Sequence, residues 1–294
     1  MPRILNIGSI NVDYVYRLKR IVAPGETLAS TGLTRGPGGK GFNQSIALAR
    51  AGACVVHGGR LGRDAAWLHE RLQAEQVDVS RLALIDEPAG HAIIQVAATG
   101  QNAIVLHPGS NHALTPADLP ALFAGFTDAD WFLTQNETSC VPEALTAARA
   151  AGLTVCFNPA PMHAAVNGYP LEAVDWLIVN EHEGAELGGG TTPDEILAGL
   201  RRRCPRAHLV LTLGSEGVWC APPAGDVIRV HALKVQAVDT TGAGDTFIGF
   251  LLAAAMQGRP LAEALAQACG AAAISVTRPG AADSVPTLAE VLRG

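Results

Sequence analysis

Asp239-Thr-Thr-Gly-Ala-Gly-Asp245, running on as Thr246-Phe-Ile-Gly-Phe-Leu-Leu-Ala-Ala-Ala-Met256, is the stretch on which the reading of this chain turns. Two carboxylates bracket a Thr/Gly segment, and an apolar run follows whose composition suits a helix over 243–257. Residues 235–238, Val-Gln-Ala-Val, precede it, so the chain is expected to leave a strand, turn tightly and enter that helix. Gly242 and Gly244 permit backbone conformations closed to other residues and leave no Cβ in front of the first-turn N–H groups. A helix N-terminus carries unpaired donors and a partial positive charge, so it suits phosphate. Asp245 is the odd member, because a carboxylate beside an anion site is repelled by the anion. It can take the proton of a hydroxyl that attacks phosphorus. It is equally the residue that a helix's first turn favours electrostatically, and composition alone leaves both readings open.

The chain has 294 residues, 48% of them hydrophobic, enough for one large α/β domain over 1–294. A net charge of −6 without a basic block argues against a nucleic-acid partner. No apolar run approaches the roughly 20 residues of a membrane helix. Met1-Pro-Arg-Ile-Leu-Asn-Ile7 reads as a strand and not as a signal peptide, so no membrane partner and a cytoplasmic location are expected. The six cysteines show no C-x-x-C pair and are expected to be buried, reduced thiols. The nine histidines show no i, i+4 pair on a helix, which argues against a zinc site.

Asp239-Thr-Thr-Gly-Ala-Gly-Asp245 resembles the C-terminal signature of the ribokinase family of carbohydrate kinases. Gly38-Gly-Lys-Gly-Phe-Asn43 resembles the family's N-terminal signature. Gly36, Gly38 and Gly41 also satisfy G-x-G-x-x-G, but a dinucleotide motif should follow the first strand directly, and here it comes far later. Lys40 has neither the upstream Gly nor the following Ser/Thr of a P-loop. What remains is a Gly-rich bend leading into a helix over 44–51. The resemblance covers nearly the whole chain. It implies a three-layer α/β sandwich with a mainly parallel sheet, helices on both faces and a small β-sheet lid. It implies phosphoryl transfer from ATP to a sugar hydroxymethyl group, with Asp245 as base and the amides of Gly242, Ala243 and Gly244 as anion hole.

In chain order, residues 4–10 read as a buried strand, followed by Asn11-Val-Asp13. Two polar residues at a strand end make a turn or face a ligand's hydroxyls; the family resemblance implies that Asn11 and Asp13 hold the sugar. Gly39, Lys40 and Asn43 are implied to join them. Residues 12–35 look like an excursion from the core, with an exposed strand over 27–34, and 89–107 contains a hairpin with period-two alternation. A lone hairpin is marginal, so it must pair with the first excursion as a lid. An exposed apolar lid face suggests a lid-to-lid homodimer, as in many family members, or a lid that closes only on its own site. Hairpin 90–107 contains no Lys or Arg to meet a second phosphate on the substrate.

Strands are expected at 54–58, 131–135, 154–158, 176–179, 209–212 and 227–233, and helices at 64–76 and 261–276. Glu137 follows the strand at 131–135, at the ligand-binding edge of a doubly wound sheet, and is implied to hold the sugar. Asn136 stands where ribokinases usually carry an apolar residue. Asn180-Glu-His-Glu183 has the family's spacing for phosphate and, through water, magnesium at Glu183, but acidic residues in a first helical turn also cap. The resemblance places ATP contacts at Asn180, Thr212, Gly214, Gly217 and, on the adenine side, Cys269, where relatives often have His or Asn. It places a monovalent cation, potassium, among Asp239, Thr241 and the backbone around Ser275, Arg278, Gly280 and Ser284. Ribose is the leading substrate, with fructose, 2-keto-3-deoxygluconate and adenosine as alternatives. A non-catalytic sugar-binding protein would be expected to have lost the base or the anion hole, and both motifs are intact.

Overall fold

Short apolar runs build the central sheet of the computed structural model, which describes residues 2–293. Its parallel strands are β1 (Arg3–Ile7), β4 (Cys54–Gly62), β5 (Asp78–Ile85), β8 (Trp131–Gln135), β9 (Thr154–Asn158), β10 (Trp176–Asn180) and β11 (His208–Thr212). Two antiparallel strands, β12 (Val218–Ala221) and β13 (Ile228–Val230), complete one edge. The order among the described residues is β13-β12-β11-β10-β9-β8-β1-β4-β5. Successive side chains of a strand enter opposite faces. Accordingly Ile4 packs into one core, and Leu5 and Ile7 into the other.

The first core lies under α1 (Lys40–Arg50), α2 (Ala66–Ala74), α7 (Ala243–Met256) and α8 (Leu261–Ser275), and contains Phe42, Ile46, Leu68, Phe250 and Leu265. The second lies under α3 (Leu119–Phe123), α4 (Val141–Ala150), α5 (Glu181–Gly188) and α6 (Pro193–Arg203), and contains Phe123, Leu145, Phe132 and Leu200. Sheet with helices on both faces is the expected three-layer architecture. Arg50, at the end of α1, pairs with Glu75 through Nε and Nη2 and donates from Nη1 to the carbonyls of Ala282 and Val285, fixing the C-terminal loop to α1.

The second sheet is the lid. It joins β2 (Asn11–Leu18), β3 (Gly32–Gly38), β6 (Gly90–Ala97) and β7 (Asn102–His107) in the order β3-β2-β6-β7. The two hairpin pairings are antiparallel, but β2 and β6 run parallel, from Asn11↔Gly90 to Leu18↔Ala97. The two excursions therefore do pair with each other. Leu33, Ile93, Ile104, Val105 and Leu106 remain exposed on the lid, Val105 by 63%.

Several boundaries differ from expectation for identifiable reasons. The first strand ends at Ile7, because the chain leaves the core sheet there and enters the lid at Asn11. The lid strand expected at 27–34 lies at Gly32–Gly38, where pairing with β2 sets the register. Helix α1 starts at Lys40, four residues earlier than its composition suggests. Phe42 N donates to the Ser9 carbonyl at 2.8 Å, and a Cβ on Gly41 would stand 2.4 Å from the Gly8 backbone. Tertiary contact thus overrides the poor helix propensity of glycine. Residues 235–238 form no strand; Val235 and Val238 are exposed. Of the cysteines, Cys54 is exposed and Cys140 partly so, while Cys156, Cys204, Cys220 and Cys269 are buried. Among the described residues, no helix is long and apolar enough to cross a membrane.

Candidate active site

The C-terminal ends of neighbouring parallel strands carry Gln135, Asn158, Asn180 and Thr212, with Gln135 opposite Asn158 and Asn180 opposite Thr212. This is the edge at which open α/β sheets bind ligands. Helices α1 and α7 start over it. Gly249 lets them meet closely, since a Cβ there would lie 2.4 Å from the Ala47 Cβ and 2.7 Å from the Leu48 nitrogen. One turn above this contact, Asn43 Nδ2 donates to Asp245 Oδ2 and Gln44 Nε2 to Asp245 Oδ1, each at 2.9 Å. Asp245 is buried, and so is the Oδ1 of Asn43, which has no protein partner.

Of the residues expected to hold a sugar, Asn43 touches that carboxylate and Lys40 feels its charge. Asn11 and Asp13 begin β2 on one face of the lid. Asn11 Oδ1 accepts from Asn111 Nδ2 at 2.7 Å, and Asn111 Oδ1 accepts from Ile10 N at 2.9 Å. Gly38 allows the Asp13 carboxylate its place, because a Cβ there would stand 2.2 Å from Asp13 Oδ1. Glu137 accepts from the Ser9 hydroxyl and, at 3.2 Å, from the Lys40 backbone N–H. Burial pushes the Asp13 carboxyl up to about 6, and the Glu137 carboxylate adds to the effect. Burial pulls the Lys40 ammonium down, but the carboxylates of Asp245, Glu137 and Glu183 outweigh it and hold its pKa above the ordinary lysine value. Lys40, half-buried, is the cation set among these three carboxylates.

On the other side of α7's N-terminus is a cleft of about 460 Å³. Its lining includes Thr212, Gly214, Gly217 and Cys269, four of the five residues for which nucleotide contacts are expected, together with Ala243 and Gly244. Its remaining walls are mostly apolar: Leu233 and Val235 on one side, Phe247, Ala272 and Val276 on the other. Of the segment read as a strand in the sequence, Val235 and Ala237 thus line the cleft, while Val238 is exposed outside it. Gly242 is left-handed at φ 73°, and a Cβ on Gly244 would meet open space. Ala243 N donates to the Thr240 carbonyl at 3.3 Å, so that amide is already engaged in the turn. Burial pushes the Cys269 thiol up to about 11.

Asn180 and Glu183 form the capping box of α5, each side chain accepting the other's backbone N–H, at 2.9 and 3.0 Å. Asn180 is outside the cleft lining. Burial pushes the Glu183 carboxyl up, opposed by the Asn180 N–H and by Lys40. Among the described residues, no cluster of three or more His, Cys, Asp or Glu could hold a metal ion.

The cation-loop residues meet only in part. Asp239 Oδ1 accepts from Thr241 N and Oγ1 at 2.9 and 2.7 Å, and its Oδ2 from Gly280 N at 2.9 Å. Burial opposes ionisation of Asp239, but these donors outweigh it and hold the carboxyl below the usual range. The Ser275 and Ser284 hydroxyls turn back to Ala272 O and Ala281 O, and the Arg278 guanidinium pairs with Glu290. Asn136, the residue unusual for ribokinases, is held by Tyr169 Oη and Pro161 O at 3.0 and 2.8 Å, and so serves the 160–169 segment.

Ser9, Gln44, Asn111 and Gln135 belong to the site or its support and went unnoticed in the sequence. The signal available was their polarity within apolar surroundings, as at Gln135 after Trp131-Phe-Leu-Thr.

The model of the pfkB family carbohydrate kinases matches residues 1–288. Ribokinase of Schizosaccharomyces pombe is 35% identical, over 99% of this chain and 97% of its own. Ribokinase of Haemophilus influenzae is also 35% identical, over 97% and 96%. Among solved structures, ribokinase of Cryptococcus neoformans with ADP is 39% identical at a TM-score of 0.88, covering 100% of this chain and 99% of its own. Arabidopsis thaliana ribokinase with ribose and ATP is 28% identical at a TM-score of 0.89, covering 99% and 98%. The signatures, the lidded sandwich and these matches agree: the chain belongs to the pfkB family of carbohydrate kinases.

Proposed function

We propose that this protein transfers the γ-phosphoryl group of ATP to the hydroxymethyl oxygen of ribose, giving ribose 5-phosphate and ADP. The observation that carries the reading is the position of Asp245. It is buried at the start of α7, between a polar site under the lid and an apolar cleft. Ribokinases match along nearly their whole length, and one was solved with ribose and ATP.

In this reading Asn11, Asp13, Gly39, Lys40, Asn43 and Glu137 hold the sugar. The unpartnered Asn43 Oδ1 is an acceptor for a sugar hydroxyl. Asp245 takes the proton of the hydroxymethyl group as its oxygen bonds to phosphorus and the bond to ADP breaks. The N–H groups of Gly242 and Gly244 and the Lys40 ammonium stabilise charge on the transferring group. Magnesium, arriving with the nucleotide and held through water by Glu183, supplies further charge neutralisation. Thr212, Gly214, Gly217 and Cys269 contact the nucleotide; Asn180 supports this side by capping α5. Asp239, Thr241 and the 275–284 loop, joined at Gly280, are the place for potassium. The lid excludes water, which would otherwise accept the phosphoryl group.

ADP release with Mg-ATP is the test, against ribose, fructose, 2-keto-3-deoxygluconate and adenosine, each in sodium or potassium chloride. Turnover is expected on ribose and is expected to rise in potassium. Turnover on another member alone would move the substrate, and equal rates in both salts would remove the cation role.

The exposed lid residues support a lid-to-lid homodimer. Ile104 and Val105 point to opposite faces of β7, so an Ile104→Asp/Val105→Asp variant spoils either face. Light scattering is expected to show a dimer for the parent and a monomer for the variant. A monomeric parent at micromolar concentration would refute the dimer.

A further inference from the structure

Behind Asp245 runs a chain of wholly buried polar side chains: Asn6, Gln44, Ser45, His57 and Gln135. Its hydrogen bonds have one direction. His57 Nε2 faces the Gly8 carbonyl at 3.2 Å; a carbonyl only accepts, so Nε2 carries the proton and Nδ1 accepts. The Ser45 hydroxyl therefore donates to Nδ1 at 2.8 Å and accepts from Asn6 Nδ2 at 2.9 Å. Asn6 Oδ1 then accepts from Gln135 Nε2 at 3.1 Å. The same Gln135 amide nitrogen donates to Gln44 Oε1 at 2.6 Å. Gln44 is left with its nitrogen facing Asp245 Oδ1 at 2.9 Å and Asn158 Oδ1 at 3.3 Å. Burial pulls the His57 imidazole down to about 4, so it stays neutral and the direction holds at neutral pH.

An amide is nearly symmetrical in shape, and only its partners decide which end faces where. Flipped, Gln44 would set a carbonyl oxygen against a carboxylate oxygen in a dry site, and both would lose a donor. Asn43 lacks such a lock, because its Oδ1 has no protein partner.

We propose that Gln44 is a positioning residue for phosphoryl transfer: held at its carbonyl by Gln135, its amide fixes the Asp245 carboxylate in the orientation that receives the hydroxyl proton. Gln135 acts through Gln44 and touches neither sugar nor nucleotide. The inference rests on reading Asp245 as the base.

The experiment compares Gln44→Met, Gln135→Met, Asp245→Asn and the Gln44→Met/Asp245→Asn pair, with ribose and Mg-ATP. Met fills the volume of Gln without its hydrogen bonds. Gln44→Met is expected to lower kcat about tenfold or more, with both KM values within about twofold, because only the transition state needs the oriented base. Gln135→Met is expected to lower kcat about threefold, since Gln44 then samples the flipped amide. In the Asp245→Asn background, Gln44→Met is expected to cost less than about twofold, because the oriented group is gone. An unchanged kcat, a change confined to KM, or the same fold-loss in both backgrounds would overturn the proposal; the last outcome is what a purely structural role gives. Near-normal turnover of Asp245→Asn alone would instead overturn the base assignment. Should Gln44→Met fail to fold, Gln135→Met decides, and unchanged kcat in it overturns the proposal.

Discussion

Asp245→Asn is expected to lower kcat by about 10² or more, in line with the usual contribution of a positioned general base. The fold is expected to survive. Asn fills the same volume, and its carbonyl oxygen can keep the bond from Gln44, whose amide is locked. Its NH2 then faces the Asn43 amide. Asn43 can turn over, because its Oδ1 is unpartnered, and accept where it previously donated. That rotation removes an acceptor from the sugar side, so a rise of a few-fold in KM for ribose is expected, roughly the loss of one neutral hydrogen bond. Asp245→Ala has no such rearrangement and leaves the buried Asn43 amide unpaired and Gln44 with only its 3.3 Å bond to Asn158, so it is expected to be less stable than Asp245→Asn. Steady-state kinetics and thermal melts of both variants check this. Asp245→Asn at more than about a tenth of parent turnover is incompatible with a base at this position.

Gly249→Val is expected to damage stability and turnover together. A Cβ at 249 would stand 2.4 Å from the Ala47 Cβ and 2.7 Å from the Leu48 backbone nitrogen. Neither is the end of a flexible side chain, so the helices must separate. Overpacking of this kind costs about 1–3 kcal/mol, which lowers the melting temperature by several degrees in a chain of this size. The consequence for chemistry follows from helical geometry. Gly249 lies one turn beyond Asp245, and Ala47 one turn beyond Asn43. A wedge between them therefore opens the 2.9 Å contacts from Asn43 and Gln44 to the carboxylate. A loss of about tenfold in kcat is expected, since displacements near 1 Å are costly at a reacting centre. Gly168→Ala is the control, because its Cβ meets nothing within 4 Å. It should leave stability and activity unchanged. A Gly249→Val protein that melts and turns over like the parent would show that the α1–α7 contact does not set the site.

Much of the architecture is legible in the sequence because parallel strands buried on both faces need continuous apolar runs. Trp131–Gln135 and Thr154–Asn158 read with their observed bounds. Strand β5, Asp78-Val-Ser-Arg-Leu-Ala-Leu-Ile85, escaped notice because its exposed and half-buried residues dilute the run. The start of α1 was misplaced because two glycines mask it, and the reason for Gly41 is the backbone of Gly8, distant in sequence. The two signatures supplied the base, the anion hole and part of the sugar site, and the resemblance along the rest of the chain supplied the remaining sugar and nucleotide candidates. They did not supply the support behind them. Asn6 and His57 are polar residues within apolar strands, yet nothing local says that Ser45 joins them, or that Gln135 continues the line to Gln44. Such a network exists only once β1, β4, β8 and α1 are assembled, so its members are individually unremarked. The same holds for the 235–238 segment: its apolar residues look like sheet material, but Val235 and Ala237 line a cleft.

The parallel pairing of β2 with β6 bears on how this protein can be remodelled. The lid is a single sheet, but its halves leave the core at two places, with α1, β4, α2 and β5 between them. It is therefore no cassette. A lid taken from a relative must arrive as two grafts whose registers match from Asn11↔Gly90 to Leu18↔Ala97. Exchanging one half alone sets foreign side chains against the native partner strand, and a slip of one residue turns every side chain to the other face, carrying Asn11 and Asp13 away from the sugar. Libraries aimed at new sugar specificity should couple diversity in 11–18 to diversity in 90–97, since the two segments recombine as one surface.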